Sequence, residues 1–249
     1  MNVIGVYNIK GGVGKTATAV NLAYLAAAQG LRTLIWDLDP QAAATYYFRV
    51  KPRVKGSKRV LRGKADVAPA IKGTDFDNLD LLPSDFSYRN MDLLLDEAKR
   101  PVKRMREMLE PLRDDYDLVV LDCPPSISVV SENVFHASQV LLVPTIPTTL
   151  SLRTLEQLLD FLERNDFETP VYAFYSMADR RKRLHQEVIG TECDPRARIL
   201  KADIPYLSDV EKMGMERAPV VEFAARSPAA LAYEQLWEEV KDIVEQKAG

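Results

Sequence analysis

The sequence predicts a doubly wound α/β domain with a mostly parallel sheet, on three observations. Short apolar runs of strand length recur at residues 3–6, 33–36, 118–121, 139–143 and 170–175, and longer segments with helical spacing separate them. Two of these runs end in aspartate, at Asp37 and Asp122, and a third opens into a loop with three glycines in four positions. No internal repeat, low-complexity segment or linker breaks the alternation, so residues 1–249 read as a single domain.

The first run, residues 3–6, reads as a strand, and the alanine-rich segment 17–26 reads as a helix. Between them lies Lys10-Gly11-Gly12-Val13-Gly14-Lys15-Thr16. Strand, glycine loop, Gly-Lys-Thr and helix is the context of a phosphate-binding loop. The glycines let backbone N–H groups converge on an anion, and the helix adds its positive N-terminal dipole. Lys15 can reach β- and γ-phosphates, and the Thr16 hydroxyl can ligate Mg2+. The ordinary loop has glycine at the position held here by Ile9, and a second lysine, Lys10, follows it.

Gly30 reads as the C-cap of the first helix. The next strand ends in Asp37-Leu38-Asp39-Pro40-Gln41. Carboxylates at the carboxyl end of a parallel strand lie where an open α/β sheet binds ligand. Asp37 and Asp39 share one face of an extended segment and can orient water or a hydrated metal; alternatively Asp39-Pro40 starts a turn. Residues 49–64 carry eight cations and no acid. Pro52, Gly56 and Gly63 make them an irregular insert, either a solvated loop or a contact for DNA or an acidic partner.

Residues 79–82 read as a short strand, and 88–95 and 102–112 as helices. The run 118–121 ends in Asp122, a buried strand with an acid at its tip that can hold Mg2+ through water opposite Thr16. A helix is expected over 150–164. The strand at 170–175 leads to Met177, Asp179 and four cations, Arg180, Arg181, Lys182 and Arg183, that open the following helix. The last helix, 227–246, has an acidic polar face, with Leu231, Leu236, Trp237, Val240 and Val244 docking it on the sheet.

Composition narrows the function classes. The chain is 47% hydrophobic and 28% charged with a formal net charge of -3, so a nucleic-acid contact must use a local patch. Two cysteines provide neither a disulfide framework nor a metal spacing, and the two histidines read as structural or surface residues. There is no signal peptide and no run long enough to span a membrane, so a cytoplasmic location is expected.

Lys10-Gly11-Gly12-Val13-Gly14-Lys15-Thr16 resembles the deviant Walker A motif of the ParA/MinD family of P-loop ATPases. Asp37 to Ala42 resembles the family's DxDPQ motif, and Asp122-Cys123-Pro124-Pro125-Ser126 its DxPP loop. The resemblance spans almost the whole chain and implies a P-loop NTPase fold of the deviant Walker A type, in the ParA-like subgroup. It implies ATP and Mg2+ as cofactors, held by Lys10, Gly11, Gly12, Val13, Gly14, Lys15, Thr16 and Ala17. Catalysis falls to Lys10, Lys15 and Asp39, and the metal to Thr16, Asp37 and Asp122. Lys10 would cross to the partner's nucleotide in a homodimer, or contact only its own phosphates. Met177 and Asp179 would lie beside adenine, with the loop of Pro205, Tyr206 and Leu207; many relatives carry Arg and Asn after that proline.

The resemblance further implies that the ATP dimer binds nonspecific DNA of the nucleoid. Candidate contacts are Arg153, Arg180, Arg181, Lys182, Arg183 and Arg226, each alternatively a surface cation in a local ion pair. An adaptor protein of ParB type, or one specific to a cargo, would stimulate hydrolysis and release the dimer. The cargo would be a plasmid or chromosome, or a protein body such as a carboxysome. No N-terminal helix-turn-helix domain is expected. Two alternatives are a metabolic P-loop enzyme, which needs a second-substrate pocket or cluster cysteines, and a MinD-like membrane-cycling ATPase, which the acidic last helix disfavours.

Overall fold

The structure, a computed structural model, describes residues 1–52, 60, 65–84, 88, 90–97, 101–191 and 193–248. Most of the basic run 49–64 therefore lies outside the described residues. Nine strands are described: β1 (Asn2–Val6), β2 (Thr33–Asp37), β3 (Lys72–Gly73), β4 (Leu79–Leu82), β5 (Leu118–Asp122), β6 (Val140–Thr145), β7 (Val171–Ala178), β8 (Ala197–Ile199) and β9 (Ile204–Pro205). Their order is β3-β4-β2-β5-β1-β6-β7-β8, with β9 on β7, and every pairing except β3–β4 is parallel. β1 lies between β5 and β6, so the loop leaving it emerges at the carboxyl edge in the middle of the sheet.

Helices cover both faces: α1 (Lys15–Ala28), α2 (Ala43–Tyr47), α3 (Met91–Asp96), α4 (Arg104–Leu109), α5 (Val129–Ala137), α6 (Thr149–Arg164), α7 (Arg183–Ile189), α8 (Ser208–Glu216), α9 (Val220–Phe223) and α10 (Pro228–Ala248). The two-residue side-chain period of the strands sorts the core into two layers. Leu34, Trp36, Val119 and Leu121 face α4, α5 and α6. Ile4, Val6, Ile35 and Val120 face α1 and α10. Each large apolar side chain fully buried this way contributes roughly 1.5–3 kcal/mol. Gly5 marks the tightest approach: a Cβ there would stand 2.7 Å from Val134 Cγ1 and 2.9 Å from Leu141 Cδ2.

The structure departs from expectation in four places. The helix expected over 88–95 begins only at Met91, and that expected over 102–112 is shorter because Pro101 and Pro111 each sit in a 3-10 turn, the first before α4 and the second after it. α5 was not legible from spacing; a capping box starts it, with the Ser131 hydroxyl accepting from the Ser128 amide at 2.7 Å. α7 begins only at Arg183, so Arg180, Arg181 and Lys182 lie in the turn ahead of it rather than in its first turn. On α10, Leu236, Trp237, Val240 and Val244 dock as expected, but Leu231 is exposed. Among the described residues no helix is long and apolar enough to cross a membrane.

Candidate active site

The glycine loop owes its shape to backbone geometry. Gly12 and Gly14 hold φ of 71° and 92°, the left-handed region where an L side chain is strained. A Cβ on Gly14 would also lie 2.9 Å from Ser176 Oγ, so the loop packs directly on the end of β7. Asn8 fixes the loop entrance: its amide donates to the Pro144 carbonyl at 2.9 Å, and its Oδ1 accepts from the Lys10 N–H at 2.8 Å. Tyr7 ties the Pro-Pro loop alongside, its hydroxyl donating to the Ser126 carbonyl at 3.0 Å. Gly14 caps α1 without a side-chain acceptor, and the first turn has no acid. Among the described residues, none of the backbone amides of residues 11–17 donates to a protein acceptor. A row of free N–H groups at a helix N-terminus is built to accept phosphate oxygens.

Lys15 is buried, and its Nζ donates to the Lys10 carbonyl at 2.9 Å. Burial pulls its pKa down, partly offset by the negative field of Asp122 first and then of Cys123 and Asp39. The Lys10 side chain is exposed, with no ion pair among the described residues.

The carboxylates converge by strand register. Asp37 on β2 stands directly opposite Asp122 on β5, and both are fully buried. Neither Asp122 oxygen has a hydrogen-bond partner among the described residues. Its pKa is driven well up, by burial first and then by Asp37, with the nearby Thr16 hydroxyl opposing. A buried carboxylate with two unpartnered oxygens is costly unless a cation completes it. The donor set of Thr16 hydroxyl and Asp122 carboxylate, all oxygen, fits Mg2+.

Asp37 has a different occupation. Its Oδ2 accepts from the Thr45 amide at 2.8 Å and the Thr45 hydroxyl at 2.7 Å, and its Oδ1 accepts from the Asp39 amide. Burial raises its pKa to about 6, with Thr45 opposing. Asp37 therefore anchors α2 beside the Asp122 carboxylate. Asp39 does start a turn, its Oδ1 accepting from the Gln41 amide at 2.9 Å and its carbonyl from the Ala42 amide at 2.8 Å. Its carboxylate also stays within electrostatic reach of Lys15. The turn reading of Asp39 is thus borne out, and the turn leaves its Oδ2 without a hydrogen bond among the described residues. Cys123 is buried behind Asp122, and burial pushes its thiol pKa up, which keeps it protonated.

The expected base-binding residues gather at the ends of β7 and β9. Met177, at φ 55°, is the extra residue of a bulge between the pairs Ser176–Ile204 and Ala178–Pro205. Asp179, Pro205, Tyr206 and Leu207 line a cavity of about 470 Å³ that Met177 does not line. The Asp179 carboxylate is held by Arg181 at 2.9 Å, which keeps its pKa down at about 2, and its amide donates to His185 Nδ1 at 3.0 Å. Tyr206 is exposed, its hydroxyl donating to Glu211.

The candidate DNA contacts divide into two groups. Arg180 pairs with Asp203, Arg181 with Asp179 and Arg183 with Glu187, at 2.8–2.9 Å. Lys182, Arg153 and Arg226 are exposed and have no ion pair among the described residues. Arg153 is on α6 and Arg226 in the turn before α10, so these cations come from three separate segments. Sequence reading missed Asn8, Thr45 and Ser176; a buried-polar signal was available only for Thr45, a threonine soon after an acidic strand end.

A sequence model of the AAA domain family matches residues 1–169. The chromosome partitioning protein ParA of Caulobacter vibrioides is 31% identical over 253 residues, covering 96% of this chain and 94% of that one. An uncharacterized protein of Pseudomonas putida is 37% identical over 164 residues, 65% of this chain but only 62% of its own length. Among solved structures, an ATP complex of McdA from Cyanothece superposes with a TM-score of 0.83 at 21% identity, over 97% of this chain and 95% of that one. Cobyrinic acid a,c-diamide synthase from Mycobacterium smegmatis, with an ATP analogue and magnesium, superposes with a TM-score of 0.80 at 26% identity, over 96% and 93%.

Proposed function

We propose, because this chain belongs to the ParA family of P-loop NTPases, that it is an ATPase cycling between an ATP-bound homodimer on DNA and a released ADP form. The observation that carries this reading is the meeting of three features at one sheet edge: the free amides of residues 11–17, buried Lys15, and the unpartnered carboxylate of Asp122. Loop amides and Lys15 bind the phosphates, which fits their convergence and charge. Thr16 and Asp122 hold Mg2+, which when bound neutralises charge developing on the phosphoryl oxygens. The Asp39 carboxylate orients the attacking water, from a turn that leaves its Oδ2 without a hydrogen bond among the described residues. Asp37 supports this arrangement through Thr45 and α2 rather than as a ligand.

The Lys10 side chain, exposed and with no ion pair among the described residues, is free to reach a nucleotide held by a second copy. A triphosphate contacted from both sides then favours the dimer, and cleavage removes that differential binding energy. DNA contact falls first to Lys182, Arg153 and Arg226, whose charges are not spent on carboxylates, and then to Arg180, Arg181 and Arg183. Such contact is nonspecific and salt-dependent. An adaptor protein triggers hydrolysis and links the dimer to its cargo, a nucleic acid or a protein body positioned over the nucleoid.

The test is DNA retention and oligomeric state with ATP, with ADP and without nucleotide, side by side, using wild type and Lys15→Ala. ATP-dependent dimerisation and DNA retention in wild type, both lost with nucleotide binding in Lys15→Ala, are expected. A protein that stays monomeric with ATP and magnesium while hydrolysis is blocked refutes the cycle. The likeness to cobyrinic acid a,c-diamide synthase favours a second reading, an ATP-dependent ligase. That reading requires ATP turnover that rises with a carboxylic-acid co-substrate and ignores DNA.

A further inference from the structure

His185 is buried, with a relative exposure of 5%, and the phosphate and metal chemistry leaves it without a role. It sits in the first turn of α7, and its Nδ1 accepts the Asp179 amide at 3.0 Å. A nitrogen that accepts an N–H carries no proton, so the ring presents Nδ1 as a bare acceptor. The sheet explains why that acceptor is needed. β7 loses β6 as a neighbour after Tyr175 and pairs beyond it with β9, and the Tyr206 amide closes that pairing on the Ala178 carbonyl at 3.1 Å. The Asp179 amide is the next donor along the chain, and among the described residues no backbone carbonyl accepts it. Met177, at φ 55°, has already turned the chain into a costly conformation just before it. The other side-chain bonds of this loop are Arg181 to the Asp179 carboxylate, Arg180 to Asp203 and Gln186 to the Arg180 carbonyl. All three are exposed to solvent and hold the loop weakly.

We infer that His185 is a positioning residue for the nucleotide base: by accepting the Asp179 amide it fixes the wall that Ala178, Asp179, Arg180 and Arg181 give to the cavity of about 470 Å³. His185 does not itself line that cavity, so it acts through Asp179 and not on the ligand. The inference rests on the nucleotide reading, with the base in this cavity. Its place fits a base, because the end of β7 packs Ser176 against Gly14 of the phosphate loop and Ala178 and Asp179 follow within three residues. A base is held by contacts whose geometry is set before it arrives. A wall that samples several conformers lowers the apparent affinity by the fraction of time it is competent. In this reading the phosphates are held elsewhere, by the amides of residues 11–17 and Lys15. Losing the His185 acceptor therefore weakens a nucleoside diphosphate and spares pyrophosphate.

The test titrates the full chain with ADP and with pyrophosphate by calorimetry, in the presence of magnesium. Wild type is compared with His185→Leu, which has no acceptor, and His185→Asn, whose Oδ1 falls where Nδ1 does. Neither ligand carries a γ-phosphate, so dimerisation does not enter. Wild type should bind ADP more tightly than pyrophosphate. His185→Leu should bind ADP about tenfold more weakly, the effect of a wall competent about one tenth of the time, and pyrophosphate within about twofold of wild type. His185→Asn should restore ADP binding to within about twofold of wild type. Loosened packing alone would weaken both ligands together and would not be rescued by asparagine. His185→Gln sets its acceptor one bond farther out and should behave like the leucine variant, which it replaces if leucine impairs folding. Wild type that binds neither ligand refutes the nucleotide reading, and equal affinity for the two refutes the base subsite; the inference falls with either. An ADP preference that survives intact in His185→Leu and His185→Gln, or an asparagine variant as weak as the leucine one, overturns the inference and leaves the nucleotide reading standing.

Discussion

Replacing Thr45 by valine tests how the carboxylate edge is held. The Thr45 hydroxyl donates to Asp37 Oδ2 at 2.7 Å and accepts from the Ser84 amide at 3.0 Å. All three residues are buried, with relative exposures of 1% or less. Valine keeps the shape and removes both bonds. The bond to the ionised carboxylate is worth about 1.5–3 kcal/mol, and stranding the Ser84 amide costs about 1–3 kcal/mol. A total near 4 kcal/mol is a large part of the 5–15 kcal/mol that keeps a domain folded. For a chain of this size each kcal/mol moves the melting midpoint by about 2–4 °C, so Thr45→Val should melt about 10 °C below wild type. The assay is thermal unfolding followed by circular dichroism at about pH 8, where Asp37, with its pKa raised to about 6, is ionised. Thr45→Ser retains the hydroxyl and should recover most of the loss. A Thr45→Val midpoint within about 2 °C of wild type would refute the account, since no other change in the site would have been made.

Three further outcomes are expected. Asp39→Ala should bind ATP with near-normal affinity and hydrolyse it slowly, as single-turnover measurements would show; unchanged turnover removes Asp39 from catalysis. Lys182→Glu with Arg153→Glu should weaken DNA retention more than Arg180→Glu with Arg183→Glu, because the latter two cations already face Asp203 and Glu187; a gel shift at low salt compares them, and the reverse ranking means the ion pairs open on binding. The His136 pKa lies below its ordinary 6.5, chiefly through burial, so the folded state resists a proton that the unfolded chain accepts. Stability should therefore fall as pH drops through 6.5, and His136→Gln should flatten that slope in denaturant titrations; an identical slope in the variant assigns it to other groups.

The loop of residues 10–16 and the aspartates at 37, 39 and 122 were legible because their chemistry is local. Glycine's left-handed φ, a helix start after a strand, and an acid at a strand tip are written within a few neighbouring residues. The alternation of apolar runs settled the α/β class for the same reason. The sequence alone thus determined a parallel sheet with a phosphate loop and acids along one edge. Only the tertiary structure decided how those groups are used. The strand order set Asp37 against Asp122, while Thr45 engages one and leaves the other unpartnered. It brought Ser176 against Gly14, and it spent Arg180, Arg181 and Arg183 on nearby acids while leaving Lys182 exposed. Such pairings join segments far apart in the chain, and a side chain's partner there depends on which strands lie side by side, which no local periodicity encodes.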